Sequence, residues 1–163
     1  MPTGVTTETA LLLDYLGAQR AHVLGILDGL DDEALRRPVL PSGWSCLGLV
    51  QHLALDVEQF WFRRVVAGET LSDGPRDAWQ VPATVSSADV LATYRRQCEL
   101  ADAVIRTTSL DAPPMWWPDF FGDYRMHDLR EVVLHVLVET AAHAGHLDAA
   151  RELIDGRQWR VLG

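Results

Sequence analysis

Hydrophobic residues recur along this chain at helical spacing in four long segments, each several turns in length. The segments cover residues 6–30, 45–67, 86–108 and 127–155. In the first segment, the apolar face consists of Leu12, Leu16, Val23, Leu27 and Leu30. No stretch of any length alternates apolar and polar residues in the manner of a strand. The pattern therefore predicts an all-α protein with four long helices.

Residues that favour helix ends stand where these segments begin and end. Thr6 or Thr7, Ser45, and Ser86 or Ser87 stand at the starts of three of the segments, and their hydroxyl groups are suited to cap helix N-termini. Gly68 and Gly156 follow the last periodic residues of two segments, where glycine commonly terminates a helix. These signals support the helix boundaries that the hydrophobic spacing predicts.

The connections between the predicted helices differ in length. Residues 31–45 form a short connection with two prolines, whereas residues 68–86 and 109–126 form longer ones. No repeat, low-complexity tract or Gly/Ser linker divides the chain, so we expect one domain over residues 1–163. The favoured architecture is a four-helix bundle, and the alternative is a less regular all-α fold.

The net charge excludes two classes of partner. The chain has 14 Lys and Arg residues against 23 Asp and Glu residues, a formal net charge of −9. A chain with this balance lacks the basic surface that nucleic acids and anionic membranes require, so neither is expected as a partner. The sequence shows no transmembrane-length apolar run and no export signal. With two cysteines, these features predict a cytoplasmic protein with reduced thiols.

The last predicted helix carries a polar stripe with the most informative chemistry of the chain. Steps of four and three residues place Glu139, His143 and His146 on one face, within an arc of roughly 40–60°. A carboxylate and two imidazoles on one stripe can supply several ligands to a metal ion. A salt-bridge face would carry Lys or Arg near the carboxylate, and this stripe has neither.

The second predicted helix supplies a further candidate ligand. His52 lies there among apolar residues, with Asp56 one turn later. Three protein ligands from two facing helices, with one position left open, are typical of a catalytic zinc-type centre. The donor set is also compatible with nickel, iron, cobalt or manganese, so the identity of the metal stays open. His146 is a candidate fourth ligand, outer-shell donor or general base.

Each histidine also has a purely structural interpretation. A single His52 on an apolar face is more often a packed core histidine than a ligand, and the same holds for His135, one turn before Glu139. The combination changes this balance, because unpaired polar groups on the inner face of a helix carry a large desolvation cost. A shared cation removes much of that cost, so the spacing supports a metal site.

At these residues the chain resembles the DinB-like superfamily of metal-binding four-helix bundles. The superfamily includes the N-terminal domain of mycothiol-dependent maleylpyruvate isomerase. Its pattern has a His on the second helix, then a His or Glu followed by a His one turn later on the last helix. His52, Glu139 and His143 match these positions in order, and Ala144-Gly145 continues the match. The resemblance spans most of the chain, up to Gly156.

The resemblance implies a fold and a class of chemistry. It implies an up-down-down-up bundle in which residues 68–86 form the long crossover. It implies His52, Glu139 and His143 as metal ligands, with zinc favoured, and it leaves His146 uncertain because many relatives have Gln there. It also implies a homodimer and a low-molecular-weight thiol as co-substrate. Because the isomerase has a second domain that this chain does not match, its substrate recognition is not transferred.

Two other features have functional and structural interpretations. The loop of residues 113–122 carries four aromatic side chains, which either cover the end of the bundle or form a pocket wall or dimer contact. Arg130, Arg151 and Arg157 are candidates for binding an acidic substrate, although salt bridges to the many acidic residues are the favoured use. No Cys/His pair is positioned for nucleophilic catalysis.

Three functions follow as hypotheses. The favoured one is a divalent-metal-dependent enzyme that transfers a mycothiol-like thiol to, or isomerises, a small-molecule electrophile, with His146 as the catalytic residue beside the ligands. The close alternative is a metal-dependent hydrolase. The third is a non-catalytic bundle that binds a small ligand or a metal, for example as a stress protein.

Overall fold

The computed structural model describes residues 5–159, and it is all-helical over that range. The five helices are Thr7–Leu27 (α1), Asp32–Arg36 (α2), Cys46–His52 (α3, continued by a π-helical segment Leu53–Val66), Ser87–Thr107 (α4) and Leu129–Asp155 (α5). A 3₁₀ turn, Asp119–Phe121, lies between α4 and α5. Within the described residues, none of the helices combines the length and the apolar character needed to span a membrane.

The predicted capping residues are confirmed at the helix ends. The side chains of Thr6, Ser45 and Ser86 each accept a hydrogen bond from a backbone N–H in the first turn of α1, α3 and α4. Asp128 caps α5 in the same way. At the other end of α5, Gly156 has a left-handed φ of 79°, a conformation that glycine adopts without steric cost.

The second long helix changes its hydrogen bonding immediately after His52. Up to His52 the backbone is α-helical, and from Leu53 to Val66 it is π-helical, with the wider spacing of i to i−5 bonds. Ala67 donates to the Phe62 carbonyl at the end of this segment. The hydrophobic pattern predicts the length of this helix correctly but does not predict the π-helical part. Such segments occur often at functional sites.

Side-chain pairs show how the long helices are arranged. Glu8 pairs with Arg130 near the start of α1 and α5, and His22 contacts Asp148 near their ends, so α1 and α5 run in the same direction. The rings of His52 and His143 lie 5.2 Å apart, centroid to centroid. Those of Trp61 and His135 are 4.8 Å apart, so α5 runs opposite to the second long helix.

Apolar side chains from all four long helices fill the space between them. Fully buried examples are Leu16, Val23, Ile26, Leu47, Leu49, Leu53, Phe62, Tyr94, Ile105, Leu129, Val136 and Leu147. This core fixes the second long helix against α5, and that contact brings His52 close to the polar stripe of α5.

The number of helices differs from the sequence prediction. The short helix α2 lies within residues 31–45, which were expected to be only a connection. Asp31 caps it, but only Leu35 of its five residues is buried, so no hydrophobic periodicity marked it. The described chain therefore has five helices, where four were predicted.

The two long connections pack onto the second long helix. In residues 67–86, the Trp79 carbonyl approaches Gly48 so closely that a Cβ on Gly48 would collide with it. In the loop before α5, the N–H groups of Met115 and Trp116 donate to the carbonyls of Val66 and Val65. The first loop is thus held beside α3, and the second beside the end of the π-helical segment.

Candidate metal centre

His52 lies at the junction between α3 and the π-helical segment, and two contacts fix its ring. Its Nδ1 lies 2.9 Å from Asp56 Oδ2, one turn later. Its ring stacks on Trp79 from the crossover loop, with centroids 4.3 Å apart and planes 18° from parallel. Because Nδ1 is engaged by the carboxylate, Nε2 is the nitrogen left for a metal ion.

Glu139 and His143 face His52 from α5, one turn apart. His143 Nε2 lies 3.4 Å from Glu139 Oε2. Its ring also meets those of His52 and Trp79 edge to face, at centroid distances of 5.2 and 5.7 Å. The ligand atoms of the three residues all lie within 4.8 Å of one another, so the group could hold a metal ion.

The donor set fits a divalent cation. Two neutral imidazoles and one carboxylate are ligands that zinc and related metals accept. With metal–ligand bonds of about 2.0 Å, neighbouring ligands of a tetrahedral site are about 3.3 Å apart. The observed 3.4 Å between His143 Nε2 and Glu139 Oε2 is close to that separation. Among the described residues, Glu139 pairs with no Lys or Arg that would compete for its charge.

The surroundings keep His143 in its metal-binding form. Burial, the largest cause, and the adjacent His52 lower the pKa of His143 below its usual value, although Glu139 opposes this shift. A lowered pKa favours the neutral imidazole, and only the neutral imidazole binds a metal.

His146 lies beside the group of three, where it contacts the candidate ligand His143. Its Nδ1 is 3.3 Å from Nδ1 of His143, and its ring centroid is 6.2 Å from that of Trp44. The side chain is exposed and does not belong to the group that converges within 4.8 Å. If His143 offers Nε2 to a metal, its Nδ1 carries the proton and donates to His146.

His135 extends the stripe by one turn but stays apart from the group of three. Its ring packs edge to face against Trp61 at 4.8 Å, and burial lowers its pKa below the usual value. The packed interpretation of His135 given by the sequence therefore agrees with its contacts.

The polar stripe lies at the rim of the bundle and not on a fully buried inner face. The side chain of Glu139 is 39% exposed, whereas those of His52 and His143 are 16% and 14% exposed. The expectation of a large desolvation cost for the whole stripe was therefore wrong for Glu139. A rim position leaves a small molecule access to the open side of the cluster.

The remaining candidates have structural partners. Arg130 pairs with Glu8 and Asp111, while Arg151 and Arg157 both donate to the Asp28 carbonyl. The favoured interpretation, salt bridges to acidic residues, holds for Arg130 and for Arg151, which also pairs with Asp155, whereas the Arg157 side chain contacts a backbone carbonyl.

Neither cysteine thiol is in the form that a nucleophile requires. Cys46 is buried, and burial raises the pKa of its thiol to about 11. Burial also raises the pKa of Cys98 above its usual range. Both thiols therefore stay protonated near neutral pH, where a nucleophile would need the thiolate form.

Sequence reasoning assigned no role to two residues of the site. Asp56 follows His52 at the i to i+4 spacing of helix neighbours, and that spacing could have indicated their hydrogen bond. Trp79 lies in the crossover loop, and no local pattern indicates that it stacks on His52.

The fold and the cluster together define a class: an all-helical protein whose second and last long helices bring two imidazoles and a carboxylate together. A model of the mycothiol-S-transferase family matches residues 11–156. The chain therefore belongs to this family, a member of the DinB-like superfamily, and the resemblance inferred from the sequence is confirmed. Searches of curated proteins and of solved structures each returned no match.

Proposed function

We propose that the chain is a divalent-metal-dependent thiol transferase that joins the sulfur of mycothiol to a small electrophile. The observation that carries the proposal is the convergence of His52, Glu139 and His143 within 4.8 Å in a chain of the mycothiol-S-transferase family.

In this proposal, His52 Nε2, a Glu139 carboxylate oxygen and His143 Nε2 are the metal ligands. Zinc suits this donor set, and nickel, iron, cobalt and manganese are alternatives. The bound cation would act as a Lewis acid that lowers the pKa of the co-substrate thiol. Trp79 covers one face of His52 and excludes water from that side.

The outer residues orient the ligands. Asp56 accepts the Nδ1 proton of His52, and His146 accepts that of His143, so each ligand presents Nε2. His146 acts in this scheme as a positioning residue. The general-base role of His146 stays a prediction. That role requires His146 Nδ1 to be released from His143.

We further propose the up-down-down-up topology of the DinB-like bundles. The parallel pair of α1 and α5 supports it, as does the antiparallel contact between α5 and the second long helix. Gln51 and Ala54 share a cavity with Val90 of α4, and Arg63 donates to Gln97 seven residues further along α4. The second long helix and α4 therefore also run in the same direction, and a long crossover between them is needed for that. One domain over residues 1–163 and a cytoplasmic location stay predictions.

Metal analysis combined with a thiol-transfer assay tests the proposal. The wild type and His127→Ala, which removes an exposed histidine outside the cluster, should bind stoichiometric metal and conjugate mycothiol to an aryl electrophile. His143→Ala should lose the metal. Its thiol-transfer rate should fall by at least about a hundredfold, since the Lewis acid is lost.

Three other results would overturn the proposal. Failure of the reconstituted wild type to bind metal would remove the basis of the centre. Metal-dependent hydrolysis without mycothiol would indicate a hydrolase. Thermal stabilisation by a ligand, without turnover, would indicate a binding protein.

A further inference from the structure

A cavity of about 290 Å³ lies beside the cluster, between the π-helical segment and the crossover loop. This volume is at the lower end of the range found for small-molecule sites. Its wall combines apolar and polar side chains, and the lining residues used below are Leu55, Asp56, Phe60, Arg64, Leu71 and Ala78.

At two points the cavity adjoins side chains that contact His52. Asp56 lines the cavity and lies 2.9 Å from His52 Nδ1. Ala78 lines it from the crossover loop, and the next residue, Trp79, stacks on His52. A molecule in the cavity therefore lies next to the side chains that hold His52 in place.

Arg64 is the cationic side chain of the cavity, and it is oriented without an acidic partner. Its guanidinium carbon lies 4.7 Å from the centroid of the Trp116 ring, which holds the group by a cation–π contact. Among residues 5–159, no carboxylate lies within salt-bridge distance of Arg64, although the chain has 23 acidic residues. The adjacent Arg63, by contrast, pairs with Glu69. Arg64 is thus available to an anionic ligand.

We propose that this cavity binds the electrophile of the transfer reaction, and that the electrophile carries a carboxylate which Arg64 binds. The inference rests on the proposed function, because it assigns the second substrate of that reaction. A guanidinium oriented by an aromatic ring presents its N–H fork to a carboxylate. Leu55, Phe60 and Leu71 would contact the apolar body of the molecule, and its reactive end would lie at Asp56, the lining residue that contacts His52.

Two aryl chlorides that differ by one carboxylate provide matched probes. With chlorodinitrobenzene or chlorodinitrobenzoate, the thiol proton passes to solvent and the sulfur lone pair forms a bond to the ring carbon. The carbon–chlorine bond then breaks, and chloride leaves with the bonding pair. No oxidant or reductant is needed, and the product is a thioether of mycothiol.

Steady-state kinetics with both probes, at saturating mycothiol, test the role of Arg64 in the full-length protein. Arg64→Gln should lower kcat/KM for chlorodinitrobenzoate by about tenfold to a hundredfold, the range for a lost charged hydrogen bond. The loss should appear mainly in KM. The value for chlorodinitrobenzene should change by less than about twofold, and Arg64→Lys should retain part of the discrimination.

Arg96→Gln is the matched control, because it removes the same charge from an exposed pair on α4. Its kcat/KM for each probe should equal that of the wild type. Equal losses on both probes in Arg64→Gln, or no loss on either, would overturn the inference. A rise in KM for mycothiol alone would also overturn it, since the cavity would then hold the thiol.

Equilibrium dialysis separates this inference from the proposed function. Unreactive dinitrobenzoate should bind the wild type and Arg96→Gln at least about tenfold more tightly than Arg64→Gln, whereas dinitrobenzene should bind all three alike. If the wild type shows no mycothiol-dependent turnover, the proposed function fails, and dialysis still decides whether Arg64 binds a carboxylate there. Equal binding of dinitrobenzoate by all three proteins would exclude it.

Discussion

At the scale of single residues, Asp56 determines which nitrogen of His52 can reach a metal. A carboxylate 2.9 Å from Nδ1 holds the proton on that atom and leaves Nε2 with its lone pair. His22 and Asp148 form a similar pair at 2.7 Å between α1 and α5, outside the metal-binding group. The His22–Asp148 pair therefore serves as an internal control for the pair of His52 and Asp56.

Asp56→Ala is expected to weaken metal binding by about tenfold to a hundredfold, the usual cost of losing such an outer partner. Chelator competition on the purified proteins gives the dissociation constant directly. Asp148→Ala should leave that constant unchanged, because its histidine is not in the cluster. If both variants weakened binding equally, the effect would reflect general destabilisation and not the orientation of His52.

The candidate ligands could be predicted from the sequence because their chemistry is local. Glu139 and His143 share a helix face by spacing alone, and His52 stands out as a polar residue in an apolar run. The stacking of Trp79 on His52 and of Arg64 on Trp116 could not be predicted in this way. Both contacts join a helix to a distant loop, and only the tertiary fold decides where a loop lies.

At the scale of helices, a buried ion pair fixes the π-helical segment against α1. Arg20 donates from Nε and Nη2 to the two Glu58 oxygens, both at 2.7 Å, and from Nη1 to Asp102 at 2.6 Å. Burial alone would lower the pKa of Arg20, but the charge and hydrogen bonds of Glu58 outweigh it and raise the pKa above its usual value. Arg20 therefore stays charged, and Glu58 must neutralise it.

Glu58→Gln should destabilise the protein by about 3 kcal/mol, the lower end for breaking a buried pair, since Arg20 keeps only the partly exposed Asp102 as a charged partner. Urea unfolding monitored by circular dichroism measures this. Arg96→Ala, which breaks an exposed pair, should cost less than about 1 kcal/mol. The double variant Arg20→Met/Glu58→Leu should recover most of the loss. Comparable costs for Glu58→Gln and Arg96→Ala would show that the buried pair is not a structural anchor.

The helix ends could be predicted closely, whereas the kind of helix could not. Ser45, Ser86 and Asp128 act as caps because each side chain bonds to its own helix within three residues. The π-helical bonding from Leu53 to Val66 leaves no comparable mark, because apolar spacing does not distinguish i to i−4 from i to i−5 bonds. The contacts of this segment with α4, α5 and the loops determine its geometry.

At the scale of the whole molecule, the two long loops converge on the same helix. The crossover loop places Trp79 on His52, and the loop before α5 places Trp116 beside Arg64. Phe60 of the π-helical segment also contacts the rings of Trp116 and Phe121. These contacts place the aromatic loop along the π-helical segment, whereas it was expected either to cover the end of the bundle or to form a pocket wall or dimer contact. Trp79 therefore covers the ring of His52 at the centre, and Trp116 holds Arg64 at the wall of the neighbouring cavity.

The family resemblance implies a homodimer, and exposed apolar side chains on α1 and α5 offer a candidate surface for it. Leu11 and Tyr15 are 56% and 60% exposed, and they lie at the level of Leu134 and Val138, which are 45% and 68% exposed. Because burial of such side chains favours association, Leu11→Glu/Tyr15→Glu should shift a dimer towards monomer by at least about tenfold in dissociation constant, measured by sedimentation equilibrium. Leu153→Glu, an exposed apolar residue in the last turn of α5, should have no effect. A monomeric wild type, or equal weakening by both changes, would refute the assignment of this face.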